Sequence, residues 1–460
     1  MVTLQKKYMN KKKSTLIAVL TITLFAWTNG MAQEAKIYVI KQGAINFQIP
    51  VSNIDSIIFY DPDAIEQEKD PFDREMTGPN ATYSNGATAA MTNPFFWLRF
   101  AQDKGFDTGT PILTDSEIAS FTNTLVAQSN LRLTLPSALV HETTVTYSQL
   151  DALATTYGYK SSPKNFASYL PNFSGSRSVQ HGIVTRFSQM YSYPVVTTGT
   201  TYLETGLEVC EGVVIYGEYG SGANAFYLVK SQNYFGWVLQ STVAICSQED
   251  FRDYFTPSEF VVVTAERLPT YLDGLSTAFR MGTKLPLVSQ TGNNVSFRIP
   301  IRTETGGLIS QEITLPIDRD EYIHIGYLPY TTTNLLKQMF KMLGQPYGWG
   351  DRNSDRDCSS TLWTAYKCCG FLLPRNTGQM ELIPAGSYCV SVGGNSTIMN
   401  ALSAYRPGTI LLKSGHVVMY LGYYNGAHYI IHNSSSINGC RVTGLSMYDG
   451  QLTSLKAIQK

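Results

Sequence analysis

The last part of the chain constrains its fold most tightly, because a helical period gives way there to a strand period. From Asn334 to Leu343 the apolar residues Leu335, Leu336, Met339, Phe340 and Leu343 share one helical face, and Gly344 with Pro346 beyond it ends the run. A second helix is expected from Cys358 to Cys369, stopped by Gly370, with Cys358, Leu362, Ala365, Tyr366 and Cys369 on its inward face. After the turn Arg406-Pro407-Gly408 the pattern is that of strands to the C-terminus. A cysteine-bearing helix followed by antiparallel strands that carry histidines calls for an α+β core in which the helix lies on a sheet.

Cys358 falls in the first turn of its helix, where unpaired backbone N–H groups and the helix dipole favour a thiolate. On the helix alone, a small buried thiol is the commoner reading of such a cysteine. A neighbouring base would separate the two, and the chain has six histidines. His141, His181 and His324 lie in other segments, whereas His416 opens the strand GHVVMYLGYY and the return strand AHYIIHN carries His428 and His432. Side chains alternate faces, so the turn decides which histidines meet. A two-residue Asn425-Gly426 loop would set His416 and His432 on opposite faces. A three-residue loop, Tyr424-Asn425-Gly426, sets 418 opposite 432 and 416 opposite 434, with both histidines on one face and His428 exposed near the tip. In that register Cys358 is a candidate nucleophile, His416 its proton acceptor and His432 the residue that orients His416.

Lysine plus arginine equals aspartate plus glutamate at 35 each, which argues against a nucleic-acid groove or a polybasic membrane face. Lys11, Lys12 and Lys13 precede an apolar stretch from Leu16 to Trp27, and Gly30-Met31-Ala32 follows, the pattern of a signal peptide over residues 1–32. That stretch is shorter than the ~20 residues of a spanning helix. The expectation is therefore export to the periplasm or beyond, with no stable membrane anchor. The seven cysteines include no metal-binding spacing, and their odd number leaves at least one thiol unpaired; a bridge between Cys210 and Cys246 is open.

Residues 33–79 read as a small β segment and an acidic linker, and residues 80–195 as a mixed, mainly helical N-terminal domain. Its helical windows are Asp115 to Gln128, with Asp115 and Ser116 as caps, and Thr146 to Tyr157. Two β-rich stretches follow, 196–265 and 266–330, each the length of a small five-stranded barrel. The step Gly236-Trp237-Val238 followed by Val243-Ala244 resembles the end of bacterial SH3-like domains.

Within residues 331–460 stand Tyr347-x-Trp349-Gly350, Asp357-Cys358-Ser359, Leu373-Pro374-Arg375, Gln379, Gly415-His416-Val417 and a third polar residue, His432. Together these resemble the NlpC/P60 family of cell-wall cysteine peptidases. The resemblance implies a papain-like catalytic domain preceded by two SH3-like β-barrels and a mainly helical N-terminal domain. It also implies a γ-D-glutamyl-L-diamino acid endopeptidase that needs no cofactor and acts on peptidoglycan stem peptides with a free L-alanine amine. Carried over by position, Cys358, His416 and His432 are catalytic, Tyr347 helps the oxyanion hole, and Trp349, Asp357, Ser359, Asn376 and Thr377 line the substrate site. Asp351 stands where the family commonly has glycine, and Ser360 likewise. Asn376 stands where some relatives carry an aspartate that would hold the amine. An acid and a tyrosine from the first SH3-like domain would complete the pocket, with Glu208, Glu218 and Tyr234 as candidates. An amidase cutting between muramic acid and L-alanine uses the same Cys-His chemistry, and an inactive wall-binding protein is the reading from another class. No motif bears on oligomeric state.

Overall fold

The computed structural model describes residues 36–41, 44–50, 82–170, 173–197, 199–268, 279–316 and 322–460. The expected signal peptide and acidic linker lie outside them. By its contacts the chain divides into two units, Met1–Lys69 and Asp70–Lys460. The first contains an antiparallel hairpin of β1 (Lys36–Lys41) and β2 (Ala44–Pro50), irregular between Val39 and Ile40.

The second unit opens with β3 (Tyr83–Ser84) and α1 (Pro94–Asp103). Asn93 accepts the Phe95 N–H and Pro94 occupies the first helical position, two signals that start a helix here. In α2 (Asp115–Val126) the cap is Thr114, reciprocated by Glu117, and not Asp115 or Ser116: a capping box needs a glutamate or glutamine three residues after the cap. After α3 (Pro136–His141) and β4 (Thr144–Thr146), α4 (Tyr147–Tyr157) has a second such box, Thr146 with Gln149, and ends at left-handed Gly158. β5 (Ser176–Ser178) pairs with β4.

These helices serve two cores. Trp97 and Leu98 of α1 and Ile118, Phe121 and Leu125 of α2 pack with Leu335, Met339 and Tyr366 of the C-terminal segment. Leu139 of α3 and Leu150 and Ala154 of α4 pack with Phe235 and Trp237 of the following sheet. The stretch expected to be one N-terminal domain therefore contributes to both neighbours, because each short amphipathic helix buries its face against whichever sheet lies beside it.

β6 (Gln180–Val184), β7 (Ser188–Tyr191), β8 (Leu203–Leu207), β9 (Gly212–Tyr219), β10 (Phe226–Lys230), β11 (Phe235–Leu239) and β12 (Val243–Cys246) form a sheet in the order β12-β6-β9-β10-β11-β7-β8. It begins at Gln180, ahead of the expected 196. The helix α5 (Gln248–Phe255) leads to a five-stranded sheet of β13 (Phe260–Val263), β14 (Lys284–Thr291), β15 (Asn294–Arg302), β16 (Leu308–Pro316) and β17 (Ile323–Ile325), ordered β16-β15-β14-β13-β17. Phe251 and Phe255 of α5 join Trp237, Val261 and Phe297 in one apolar cluster, so the two sheets share a core. Cys210 and Cys246 are unpaired thiols, as are the other five cysteines.

The C-terminal segment comprises α6 (Thr332–Phe340), α7 (Cys358–Lys367), α8 (Thr377–Glu381), β18 (Cys389–Gly393), α9 (Asn395–Ala401), β19 (Ile410–Lys413), β20 (His416–Tyr424), β21 (Ala427–Ser434), β22 (Gly439–Gly444) and β23 (Leu452–Ile458). Its sheet runs β18-β23-β19-β20-β21-β22-β3, and β3 covers the β22 edge as a parallel strand. The β20–β21 turn has two residues, not the expected three. Tyr424 pairs with Ala427, and Asn425 and Gly426 both have positive φ, 47° and 83°, as a two-residue I′ turn requires. A bulge then shifts the register between Tyr420 and Gly422, so that Met419 faces Ile431. Continuing that register sets 418 against 432 and 416 against 434. The side-chain alignment expected from a longer turn is thus reached by a bulge.

Candidate active site

The site is assembled where α7 begins against β20. Asp357 is the cap of α7: its Oδ1 accepts the Ser360 N–H at 2.8 Å and the Ser359 hydroxyl at 3.0 Å. Arg375 grips the same carboxylate with two nitrogens, each at 3.0 Å, and the Gly350 N–H donates to Oδ2 at 3.1 Å. The Arg375 Nη1 also reaches the Ser359 hydroxyl at 2.9 Å. Asp357 and Ser359, expected to line the substrate site, are buried and have these polar atoms engaged inside the protein. Their part is to fix the helix start, and with it Cys358.

Cys358 is the first residue of α7 and is buried. The hydroxyl of Thr377, at the start of α8, lies 3.7 Å from its sulfur. Burial pushes the thiol up and the Asp357 carboxylate adds to this, while the Val417 backbone N–H, the Thr377 hydroxyl and Arg375 pull it down. Burial outweighs the helix-start effect that the sequence led one to expect. The resting group is a neutral thiol, which needs a base.

His416 begins β20, one residue before the Val417 amide that points at the sulfur. Its Nε2 is 2.8 Å from Nδ1 of His432, whose Nε2 is 3.1 Å from the Thr443 hydroxyl. With Nε2 occupied, Nδ1 is the His416 nitrogen left for a thiol proton. Burial lowers His416 to about 4, helped by Lys413 and opposed by Asp357, so the imidazole is neutral and able to accept. His432 is likewise held well below the usual histidine range by burial and by His416. The phenol of Tyr448 sits 3.4 Å from His432 Nδ1. His428 belongs to the hairpin tip, half-buried, with Nδ1 3.0 Å from the Tyr420 hydroxyl, and takes no part in this cluster.

Asn433 connects the two halves. Its Nδ2 donates to the Arg356 carbonyl at 2.8 Å and to the Thr361 hydroxyl at 3.2 Å, tying the strand of His432 to the start of α7. Sequence reasoning missed it; the usable signal is a fully polar residue at an otherwise apolar strand position. Tyr347 is half-buried, and burial together with the nearby Cys358 and Asp357 raises its phenol. Trp349 is 47% exposed at the rim.

Residues 344–454 match the model of the NlpC/P60 family. The chain carries an NlpC/P60 domain. No curated protein matches it. Among solved structures it is similar to an NlpC/P60 endopeptidase from Photobacterium damselae subsp. piscicida, at 15% identity over 83% of this chain and 98% of that one, with a TM-score of 0.55. An NlpC/P60 family protein from Bacillus cereus ATCC 10987 aligns at 17% identity over 61% of this chain and 100% of that one, with a TM-score of 0.44. The first of these shows a shared fold across most of the chain.

The NlpC/P60 domain is keyed to the sheets upstream through the loop Trp349–Ser354, which packs on β8. Asp351 and Asn353 hold left-handed φ values of 62° and 57° in this loop, an uncommon conformation for residues with a Cβ. A side chain at Gly206 of β8 would come within 2.8 Å of the Asp351 Cβ, so the approach depends on that glycine. The Asp351 carboxylate is buried between Arg375 at 2.9 Å and Arg280 at 3.8 Å, and Arg280 meets Glu208 of β8's end at 3.2 Å. Burial pushes Asp351 up, but Arg375 and Arg280 outweigh it and hold the group below its usual value.

Of the three residues considered for the upstream wall, Glu208 is consumed by Arg280, and Glu218 lies on β9 at an exposed contact with Gln240. Tyr234 does reach the NlpC/P60 domain, with a hydrogen bond to Asn376 and with Arg375 and Glu204 nearby. Glu204 was missed. It stands at an outward position of the alternating strand β8, between buried Leu203 and Thr205, so the pattern gave no sign of its partners. Burial raises it, against hydrogen bonds from Ser192 and Tyr159 and the charges of Lys164 and Arg132.

Proposed function

We propose that this protein is an exported cysteine peptidase that hydrolyses the γ-D-glutamyl-diamino acid bond of peptidoglycan stem peptides. The observation that carries the reading is the hydrogen-bonded pair His416 and His432, with the N–H of Val417, the residue next to His416, bonded to Cys358 at the first turn of α7. The Cys358 proton passes to Nδ1 as sulfur attacks the γ-carbonyl, and His416 returns it to the departing amine. Tyr347 and the N–H groups at the helix start stabilise the oxyanion. Water, activated by the same imidazole, then releases the D-glutamyl acid. Thr377, Asn376 and Trp349 form the rest of the cleft. The two upstream β modules are read as SH3-like walls, and a wall across the N-terminal side limits the substrate to a free L-Ala-γ-D-Glu end. Glu204, with Tyr234 beside it, is the acid available for the substrate's ammonium group, in place of the charge that Asn376 lacks.

Incubating the enzyme with defined muropeptides and weighing the products tests this. Release of L-Ala-γ-D-Glu supports it; release of intact stem peptide from muramic acid makes the protein an amidase, and no product from any muropeptide leaves a wall-binding protein. N-acetylation of the L-alanine should lower kcat/KM steeply, since it removes the charge that the pocket is built to pair. Equal rates with and without the acetyl group, or faster release from whole sacculi, would mean an open groove.

A further inference from the structure

The imidazole pair does not end the polar chain that begins at Cys358. Thr443 lies on β22, fully buried, its backbone fixed by pairing with Ile430 on one side and with Ser84 of β3 on the other. Its hydroxyl is 3.1 Å from His432 Nε2 and donates to the thioether sulfur of Met447 at 3.3 Å. Each neutral imidazole has one N–H and one bare nitrogen, so the chain His416–His432–Thr443 can be ordered in two directions.

The direction decides whether the site works. If Thr443 donated to His432 Nε2, then His432 Nδ1–H would donate to His416 Nε2, and the His416 proton would sit on Nδ1, where it cannot accept from a thiol. If Thr443 donates elsewhere, its lone pair receives His432 Nε2–H. His432 Nδ1 is then bare and receives His416 Nε2–H, and His416 Nδ1 is bare. A thioether can only accept, so Met447 draws the Thr443 proton in the second direction. Both imidazoles are held neutral by burial, the condition under which proton order matters.

We infer that Thr443 and Met447 are positioning residues that set the proton order of the histidine pair, so that His416 presents an unprotonated Nδ1 to Cys358. The inference rests on reading Cys358 and His416 as nucleophile and base, but its decisive measurement needs no substrate. In the full-length resting protein with 15N-labelled histidine, both His416 and His432 should show the proton on Nε2. In Thr443→Val, which keeps the shape and removes the acceptor, the proton of each should move to Nδ1. For an L-Ala-γ-D-Glu-diamino acid peptide, kcat should fall on the order of tenfold or more with KM unchanged. Thr443→Ser should restore both the spectrum and kcat. Met447→Leu should show part of the same shift, and it carries the test if Thr443→Val does not fold. A resting proton on His416 Nδ1, or variants whose tautomers and kcat match the unaltered protein, would overturn the inference. The expected spectrum in a protein that cuts no stem peptide would support the proton order and refute the proposed activity.

Discussion

Asp351→Gly sets two effects of opposite sign against each other. Glycine relieves a left-handed backbone at φ 62°, worth about 1 kcal/mol. It also removes a carboxylate that is 3% exposed and lies between Arg375 and Arg280. Breaking a buried ion pair by deleting one partner costs about 3–5 kcal/mol, because the other charge stays buried. Arg375 keeps its two bonds to Asp357, so the lower end applies to it. Arg280, 1% exposed, keeps Glu208, the face of Phe187, 4.9 Å from its guanidinium carbon, and the weaker influence of Asp355. The charge effect wins, with a net loss of about 2–4 kcal/mol. Denaturant unfolding followed by tryptophan fluorescence measures it, and in a double-mutant cycle Arg280→Met should cost less in the Asp351→Gly background than on its own, since there it no longer breaks the contact with Asp351. Because the same loop carries Trp349, KM should rise more than kcat falls. An Asp351→Gly protein as stable as the unaltered one, or strict additivity with Arg280→Met, would refute the argument.

Cys358→Ala and His416→Ala should each abolish turnover while leaving the circular dichroism spectrum unchanged, whereas His428→Ala should retain nearly full activity because its ring bonds Tyr420 at the hairpin tip. His416 must be neutral to accept a proton and is held at about 4, so the acid limb of kcat/KM should fall near that value and activity should persist at pH 5; a limb at the free-histidine position would show that the ring is not desolvated. Asn433→Ala should slow turnover and lower the unfolding midpoint together, since the deleted amide holds both the Arg356 carbonyl and the Thr361 hydroxyl; a variant that loses only activity would place Asn433 in substrate contact.

The α+β layout, the helix of Cys358 and the strands of His416 and His432 were legible because they depend on local periods and on turn residues that act within a few positions. Charge pairs across modules were not. Arg280, Asp351 and Arg375 are separated by long stretches of chain, and nothing in a charged residue's neighbours tells whether it is solvated or buried against a distant partner. Asp357 illustrates the same limit from the other side: its position in the motif suggested substrate, while its oxygens are taken by Ser359, Ser360, Gly350 and Arg375.

The hairpin shows why a correct placement can rest on the wrong local geometry. The requirement that His416 and His432 share a face is one of parity, and a turn of three residues satisfies it as well as a turn of two followed by a bulge. Asn425-Gly426 favours the two-residue turn on its own, so an odd residue had to be absorbed elsewhere, and Leu421 absorbs it. The next residue, Gly422, has φ 150°, still on the positive side, and a Cβ there would stand 3.2 Å from Phe100 and 3.3 Å from Trp97 of α1. The bulge is therefore seated against the upstream helix. Trp97, fully buried with its indole N–H on the Met91 carbonyl at 2.8 Å, provides that seat. The N-terminal helix thus helps to fix the register that aligns His416 and His432, a dependence that spans more than three hundred residues of sequence and leaves no trace in the motif itself.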